Sequence, residues 1–168
     1  LTGLPSRRAL EERLHGLGPV HAIAMVDVDH FKKFNDTHGH DIGDQVLKLV
    51  GARLAEIQGG GAAYRYGGEE FCLLFDGHTL DQALPHIDKI RADIAAYQMA
   101  VRRDDRPKDP EAGTKLRHLR SPEKILSVTV SIGVAEPDDA RATPAEVLRA
   151  SDKALYRAKE AGRNRVSR

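Results

Sequence analysis

The chain has 168 residues, enough for one domain with a substantial core and too few for two. With 26 basic and 25 acidic side chains it is nearly neutral, formally +1, and 40% apolar, which excludes a disordered chain and a polybasic nucleic-acid binder. No stretch approaches the roughly 20 apolar residues that span a bilayer, no signal pattern opens the chain, and the lone Cys72 cannot form an internal disulfide; the domain is read as cytoplasmic, in a reducing compartment, with membrane anchoring of a parent protein left open.

Residues 5–14 open on a proline and continue with good helix formers, Leu10 and Leu14 one turn apart, and predict a short helix ending by Gly16. The run His21-Ala22-Ile23-Ala24-Met25-Val26-Asp27-Val28-Asp29 has the length of a buried strand with acidic groups at its C-terminal end. A polar segment follows. Apolar residues at 42, 46, 47, 50, 54 and 57 then share one helix face, and the helix stops at Gly59-Gly60-Gly61. Runs 62–66 and 71–75 read as strands joined through Gly67-Gly68-Glu69-Glu70, a hairpin whose glycines tolerate positive φ.

A second amphipathic helix carries Leu80, Leu84, Ile87, Ile90 and Ile94 on one side, and residues 126–134 alternate as one half-buried strand. The last helix announces itself at Thr143-Pro144-Ala145-Glu146, a threonine cap, a first-turn proline and a capping-box glutamate; its inner face is Val147, Leu148, Ser151, Ala154, Leu155 and Ala158, and Gly162 stops it. Between 102 and 124 lie eight basic and five acidic residues with three prolines, read as an exposed loop or extended hairpin inserted before the last long strand. The order of elements predicts an α+β sandwich of the ferredoxin-like kind, a mainly antiparallel sheet covered by helices.

Asp27 and Asp29 are expected to point to one face of their strand, and Glu69 and Glu70 to stand at the hairpin tip. Hard carboxylate oxygens without clustered cysteines suit Mg²⁺ or Mn²⁺ bound together with substrate phosphates, and so imply phosphoryl transfer. Asn35 and Asp44 flank a helix entrance; an amide and a carboxylate there can pair with a guanine edge, or can serve as caps and turn formers. His30, His38 and His40 lack a zinc spacing. Lys159 and Arg163 close the last helix, where cations suit either the helix dipole or a phosphate.

Taken in order, Leu1-Thr2-Gly3-Leu4-Pro5-Ser6-Arg7-Arg8, Asp27-Val28-Asp29-His30-Phe31-Lys32, Asn35-Asp36, Gly39-His40-Asp41-Ile42-Gly43-Asp44, Arg65-Tyr66-Gly67-Gly68-Glu69-Glu70-Phe71, Ser131-Ile132-Gly133-Val134-Ala135, Ala154-Leu155-Tyr156-Arg157-Ala158-Lys159 and Gly162-Arg163-Asn164 resemble the GGDEF-domain diguanylate cyclases of bacterial second-messenger signalling over almost the whole chain. The resemblance implies one polymerase-palm-like domain over 1–168 that condenses two GTP into cyclic di-GMP, facing a second GGDEF domain in a homodimer. Asp27, the Val28 carbonyl, Glu69 and Glu70 are then the Mg²⁺ (or Mn²⁺) ligands, and Glu69, Glu70 and Lys159 the catalytic groups. Asn35 and Asp44 read guanine, His40 lies near substrate, and Phe31, Lys32 and Arg163 meet the triphosphate.

The intact Asp27, Glu69 and Glu70 argue against the alternative of a silent receptor module. Two departures stand out. The family's Arg-x-x-Asp product-inhibition site holds Gln58 and Gly61 here, which predicts weak or absent feedback, and the basic insertion at 102–124 exceeds the usual connection. A start at Leu1, inside the family's opening motif, predicts a piece of a longer protein with an N-terminal sensory or regulatory domain; no nucleic-acid partner is expected.

Overall fold

A computed structural model describes residues 1–101 and 124–168. In chain order the elements are α1 (Arg7–Leu14), β1 (His21–Val28), α2 (Phe31–His38), α3 (His40–Ala55), β2 (Gly61–Arg65), β3 (Glu70–Asp76), α4 (Leu80–Ala96), β4 (Met99–Val101), β5 (Lys124–Leu126), β6 (Val130–Ala135), α5 (Pro144–Glu160) and β7 (Val166–Ser167). The expected α+β architecture is present. A five-stranded sheet runs β2-β3-β1-β6-β7, antiparallel except for β6 and β7, and β4 and β5 form a separate antiparallel pair.

β1 is the central strand, bonded on one edge to β3 and on the other to β6, and all eight of its residues are buried. Because helices cover both faces, β1 shows a continuous apolar run rather than alternation. Ala22, Ala24, Val26 and Val28 pack with Val46, Val50 and Leu54 of α3 and Ile87 and Ile94 of α4. Ile23 and Met25 face the other way, toward Leu10 and Leu14 of α1 and Val147 and Leu155 of α5. Two apolar layers therefore sandwich the sheet, and odd-numbered Asp27 emerges on the α5 side.

The α5 face is built for close approach. Ser151, Ala154 and Ala158 are fully buried, and a Cβ placed on Gly133 of β6 would lie 1.9 Å from the backbone nitrogen of Leu155 and 2.1 Å from the carbonyl oxygen of Ser151. Only hydrogen at position 133 lets α5 sit at this distance. Gly133→Ala is therefore expected to destabilise the fold by about 2–3 kcal/mol, read as a fall of roughly 5–10 °C in thermal midpoint; an unchanged midpoint would show that α5 can retreat without penalty. At its start α5 has the expected capping box, with Glu146 N–H donating to Thr143 Oγ1 at 3.3 Å and Thr143 N–H to Glu146 Oε2 at 3.0 Å.

Three details depart from expectation. The polar segment after β1 contains a helix, α2, which buries only Phe31 and carries an i,i+4 contact between the Phe34 and His38 rings at 4.6 Å. The run 126–134 is two strands, interrupted at 127–129, with β5 paired to β4 and β6 in the main sheet. β7 is a two-residue strand, too short for any sequence periodicity to mark it. Lys124, the last residue of the basic insertion, begins β5, whose pairing with β4 brings the two ends of the insertion together; the rest of it lies outside the described residues.

Candidate active site

The site is assembled where β1 ends. Asp27 lies opposite Glu70 of β3 and Ser131 of β6, and is 5% exposed. Lys159, in the last turn of α5, donates from Nζ to Asp27 Oδ1 at 3.0 Å. Burial raises the Asp27 carboxyl above its ordinary range, the Lys159 contact works against that rise, and the nearby charge of Asp29 adds to it.

The hairpin after β2 delivers Glu69 to the same place. Val28 N–H donates to the Glu69 carbonyl at 3.3 Å, and Tyr66 and Gly67 N–H donate to the Glu70 carbonyl at 2.9 and 3.1 Å. Neither Gly67 nor Gly68 adopts a left-handed φ, so the expected backbone reason for the glycine pair does not hold. Space is the better reason: a Cβ on Gly67 would come within 3.1 Å of Glu70 Oε2, while one on Gly68 would meet nothing within 4 Å. Arg65 stiffens the turn, donating from Nε to the Gly67 carbonyl at 3.3 Å and from Nη2 to the Gly68 carbonyl at 2.9 Å. Glu69 has its proton affinity raised by burial first and by the negative charge of Asp27 second.

On the other side of the β1 end the backbone makes a left-handed step at His30, φ 56°, and enters α2 at Phe31. No side chain caps this helix, so the first-turn N–H groups of Phe31 and Lys32, a few residues past the end of β1, are left without a capping partner. Asn35, in the last turn of α2, packs over α3: a Cβ on Gly43 would lie 1.8 Å from Asn35 Oδ1. That oxygen is shielded from solvent and has no hydrogen-bond partner among the described residues. His40 begins α3 and Asp44 follows one turn later, both exposed. The structure thus brings Asn35, His40 and Asp44 to the junction of α2 and α3, and Asp27, Val28, Glu69 and Lys159 to the end of β1, with Phe31 and Lys32 at the start of the helix that links the two in the chain. Arg163, just past α5, acts on Asp27 through its charge.

Asp29 and Asp27 differ in their surroundings. Asp29 lies one residue past β1, 6% exposed, and its carboxylate accepts from Thr129 Oγ1 and Ser131 Oγ, both at 2.6 Å, and from Asn164 N–H at 3.1 Å. Its lone pairs are taken by protein donors. Sequence reading did not assign Arg65, Thr129, Ser131 or Gly43 to this site: Thr129 and Ser131 act through contacts about a hundred residues away, Gly43 through the absence of a side chain, and Arg65 through local bonds to the Gly67 and Gly68 carbonyls.

As donors for a divalent cation, Asp27 and Glu69 fit: two hard carboxylates forced together in a partly dehydrated place, each holding its proton more tightly than in water, are relieved by a dication. Among the described residues no three His, Cys, Asp or Glu side chains converge as a metal cluster. Such an ion would accordingly keep positions for backbone carbonyl, water or substrate oxygen, as Mg²⁺ usually does. No helix among the described residues is long and apolar enough to cross a membrane.

This geometry agrees with what the chain is similar to. The family described as "Diguanylate cyclase, GGDEF domain" matches residues 1–116 and 111–165. The response regulator PleD of Caulobacter vibrioides is 36% identical over 175 residues, covering 99% of this chain and 34% of PleD. The crystal structure of the GGDEF domain of DgcB from Caulobacter crescentus in complex with c-di-GMP superposes with a TM-score of 0.78 at 30% identity, covering 99% of this chain and 91% of that one. The active GGEEF domain of a diguanylate cyclase from Vibrio cholerae gives a TM-score of 0.68 at 25% identity, over 96% and 88%. The chain spans about a third of the length of PleD. With the family motifs, the fold and the acidic junction all in agreement, this chain belongs to the GGDEF family of diguanylate cyclase domains.

Proposed function

We propose that this domain condenses two GTP molecules into cyclic di-GMP, releasing two pyrophosphates, with Mg²⁺ or Mn²⁺ as cofactor. The observation that carries the reading is the convergence of Asp27, Glu69 and Lys159 beside the uncapped start of α2. In this reading Asp27, the Val28 carbonyl and Glu69 hold the metal, with Glu70 alongside. When bound, the cation supplies charge neutralisation at the triphosphate and at the attacking oxygen.

The protein's own groups do the rest. The Phe31 and Lys32 N–H groups and the Arg163 guanidinium cradle phosphate oxygens, as helix starts and cations do. Asn35 and Asp44 take the guanine edge; the unpartnered Asn35 amide oxygen supports this, because a base N–H would satisfy it. His40 borders the same end. Glu69 accepts the proton of the ribose 3′-hydroxyl, whose oxygen bonds to the α-phosphorus of the GTP on the facing domain as the bond from that phosphorus to the pyrophosphate oxygen breaks. Lys159, whose ammonium lies on Asp27, stabilises the departing negative charge. A second, symmetry-related transfer closes the ring. Each domain holds one nucleotide, so catalysis needs a dimer, and a regulatory domain preceding this one would set the encounter.

Incubation with GTP and Mg²⁺, free or fused to a dimerising partner, is expected to yield cyclic di-GMP by mass spectrometry. No product from the dimerised domain would overturn the reading.

Feedback is proposed to be absent. Gln58 is exposed and bonds back to the Glu56 carbonyl at 2.9 Å, and Gly61 lies against Phe75, where a Cβ would come 2.7 Å from the ring. The cavity of about 350 Å³ beside Gln58 is lined by Glu56 and Asp93 as well as Lys89, whose ammonium is paired to Asp93 at 2.6 Å. Two carboxylates and a neutralised cation offer little to a dinucleotide bearing two negative charges. Micromolar cyclic di-GMP is expected to leave the initial rate unchanged; inhibition insensitive to substitution of Gln58 would reveal a different inhibitory surface.

A further inference from the structure

The turn that carries Arg163 is strained and held in place by groups far away in sequence. α5 ends in a Schellman arrangement, with Arg163 N–H donating to the Ala158 carbonyl at 3.0 Å and Gly162 N–H to the Lys159 carbonyl at 3.4 Å. Three residues in a row then have positive φ: Gly162 at 112°, Arg163 at 63° and Asn164 at 45°. Glycine adopts this freely, but for Arg163 and Asn164 it costs on the order of 1 kcal/mol each, and such conformations persist only where surrounding contacts impose them.

The contacts come from three directions. From the end of β1, Asp29 Oδ2 accepts from Asn164 N–H at 3.1 Å, while Thr129 and Ser131 hydroxyls fix the same carboxylate. From α4, Arg91 Nη1 donates to Asn164 Oδ1 at 2.9 Å and to the Asn164 carbonyl at 3.4 Å, and its Nε is oriented by Asp88 at 2.7 Å. From β6, Ile132 N–H donates to the Arg165 carbonyl at 2.9 Å, and β7 begins one residue later. Asp29, which sits next to the carboxylate site yet has its oxygens occupied by protein donors, and Arg91, on the far side of the turn, grip the same residue.

We propose that Asp29 and Arg91 are positioning residues: by clamping Asn164 from opposite sides they hold the left-handed turn that presents Arg163, and the helix end that presents Lys159, to the triphosphate. This rests on the reading of Arg163 as a phosphate contact. It assigns Asp29 a role other than metal ligation, and it ties the largely covered Arg91 of α4 to substrate affinity.

The test compares Asp29→Asn, Arg91→Met, Arg163→Ala and the Arg91→Met/Arg163→Ala double variant, measuring affinity for a non-cyclisable GTP analogue with Mg²⁺ and for GMP, together with KM and kcat. Asp29→Asn and Arg91→Met are each expected to weaken the triphosphate analogue about tenfold, as loss of one charge-assisted hydrogen bond would, and to raise KM for GTP in step. GMP affinity should stay as in the unsubstituted domain, and the double variant should be no weaker than Arg163→Ala alone. Equal losses for GMP and the analogue, unchanged analogue affinity in Arg91→Met, or additive losses in the double variant would each overturn the proposal while leaving the cyclase reading standing. An Arg163→Ala variant that binds the analogue normally would instead overturn the phosphate-contact reading beneath it.

Discussion

Glu69→Gln is expected to lower cyclic di-GMP synthesis about a thousandfold, the combined loss of a general base and an anionic metal donor. The substitution keeps the size of the side chain and leaves the backbone bonds at the hairpin tip, including Val28 N–H to the Glu69 carbonyl, in place. The fold should therefore survive with its thermal midpoint unchanged or slightly raised, because a half-buried charge near Asp27 has been removed. Activity within a few fold of the unsubstituted domain would exclude Glu69 from both roles.

The same electrostatics set a pH dependence. Asp27 and Glu69 both hold protons above the ordinary carboxylate range, chiefly through burial. In the metal-free domain the stability linked to these groups is present at low pH, below their unfolded values, and is lost as pH rises through the raised folded values. A divalent cation prefers the ionised pair and pulls both values down. The acidic limb of the rate profile should accordingly lie above the usual carboxylate range at low Mg²⁺ and move to lower pH as Mg²⁺ is raised. Rate profiles at two Mg²⁺ concentrations that overlay would show that proton and metal do not compete at this pair.

Turnover per domain is expected to fall steeply on dilution, and fusion to a dimerising coiled coil should restore it by on the order of a hundredfold at low concentration, through effective concentration alone. The physical ground is that the proposed product has two equivalent linkages, while in the proposed reading each domain binds one GTP at one acidic junction with Asn35 and Asp44 on its guanine. In that reading the nucleophile and the electrophile that a single domain holds belong to the same GTP and cannot meet. A specific rate independent of protein concentration, in a species shown to be monomeric by sedimentation, would contradict the dimer requirement.

Much of the site was legible in the chain because its parts are local. Asp27 at the end of an apolar run, Glu69 and Glu70 after two glycines, and the capped helix that ends in Lys159 are each written within a few residues. The Gly-Gly pair was legible for the wrong reason, since its backbone conformation is ordinary and only at Gly67 would a Cβ meet a close neighbour, Glu70 Oε2. Helix α2 was invisible because eight residues with one buried side chain carry too little periodicity to stand out; it is a helix because α3 and the sheet are there to receive Phe31.

By itself the sequence determined the layered α+β arrangement, through strand and helix periodicities that survive any reordering of neighbours, and it determined which side chains could do the chemistry. The tertiary structure alone decided that Asp27 and Asp29, two residues apart, part company: one meets Lys159, 132 positions away in the chain, and the other is consumed by Thr129, Ser131 and Asn164. It also decided that Gly133 admits α5 and that Arg91 reaches Asn164. These outcomes depend on how closely a helix can approach a sheet and on where long-range hydrogen bonds close, and neither is encoded in any window of adjacent residues.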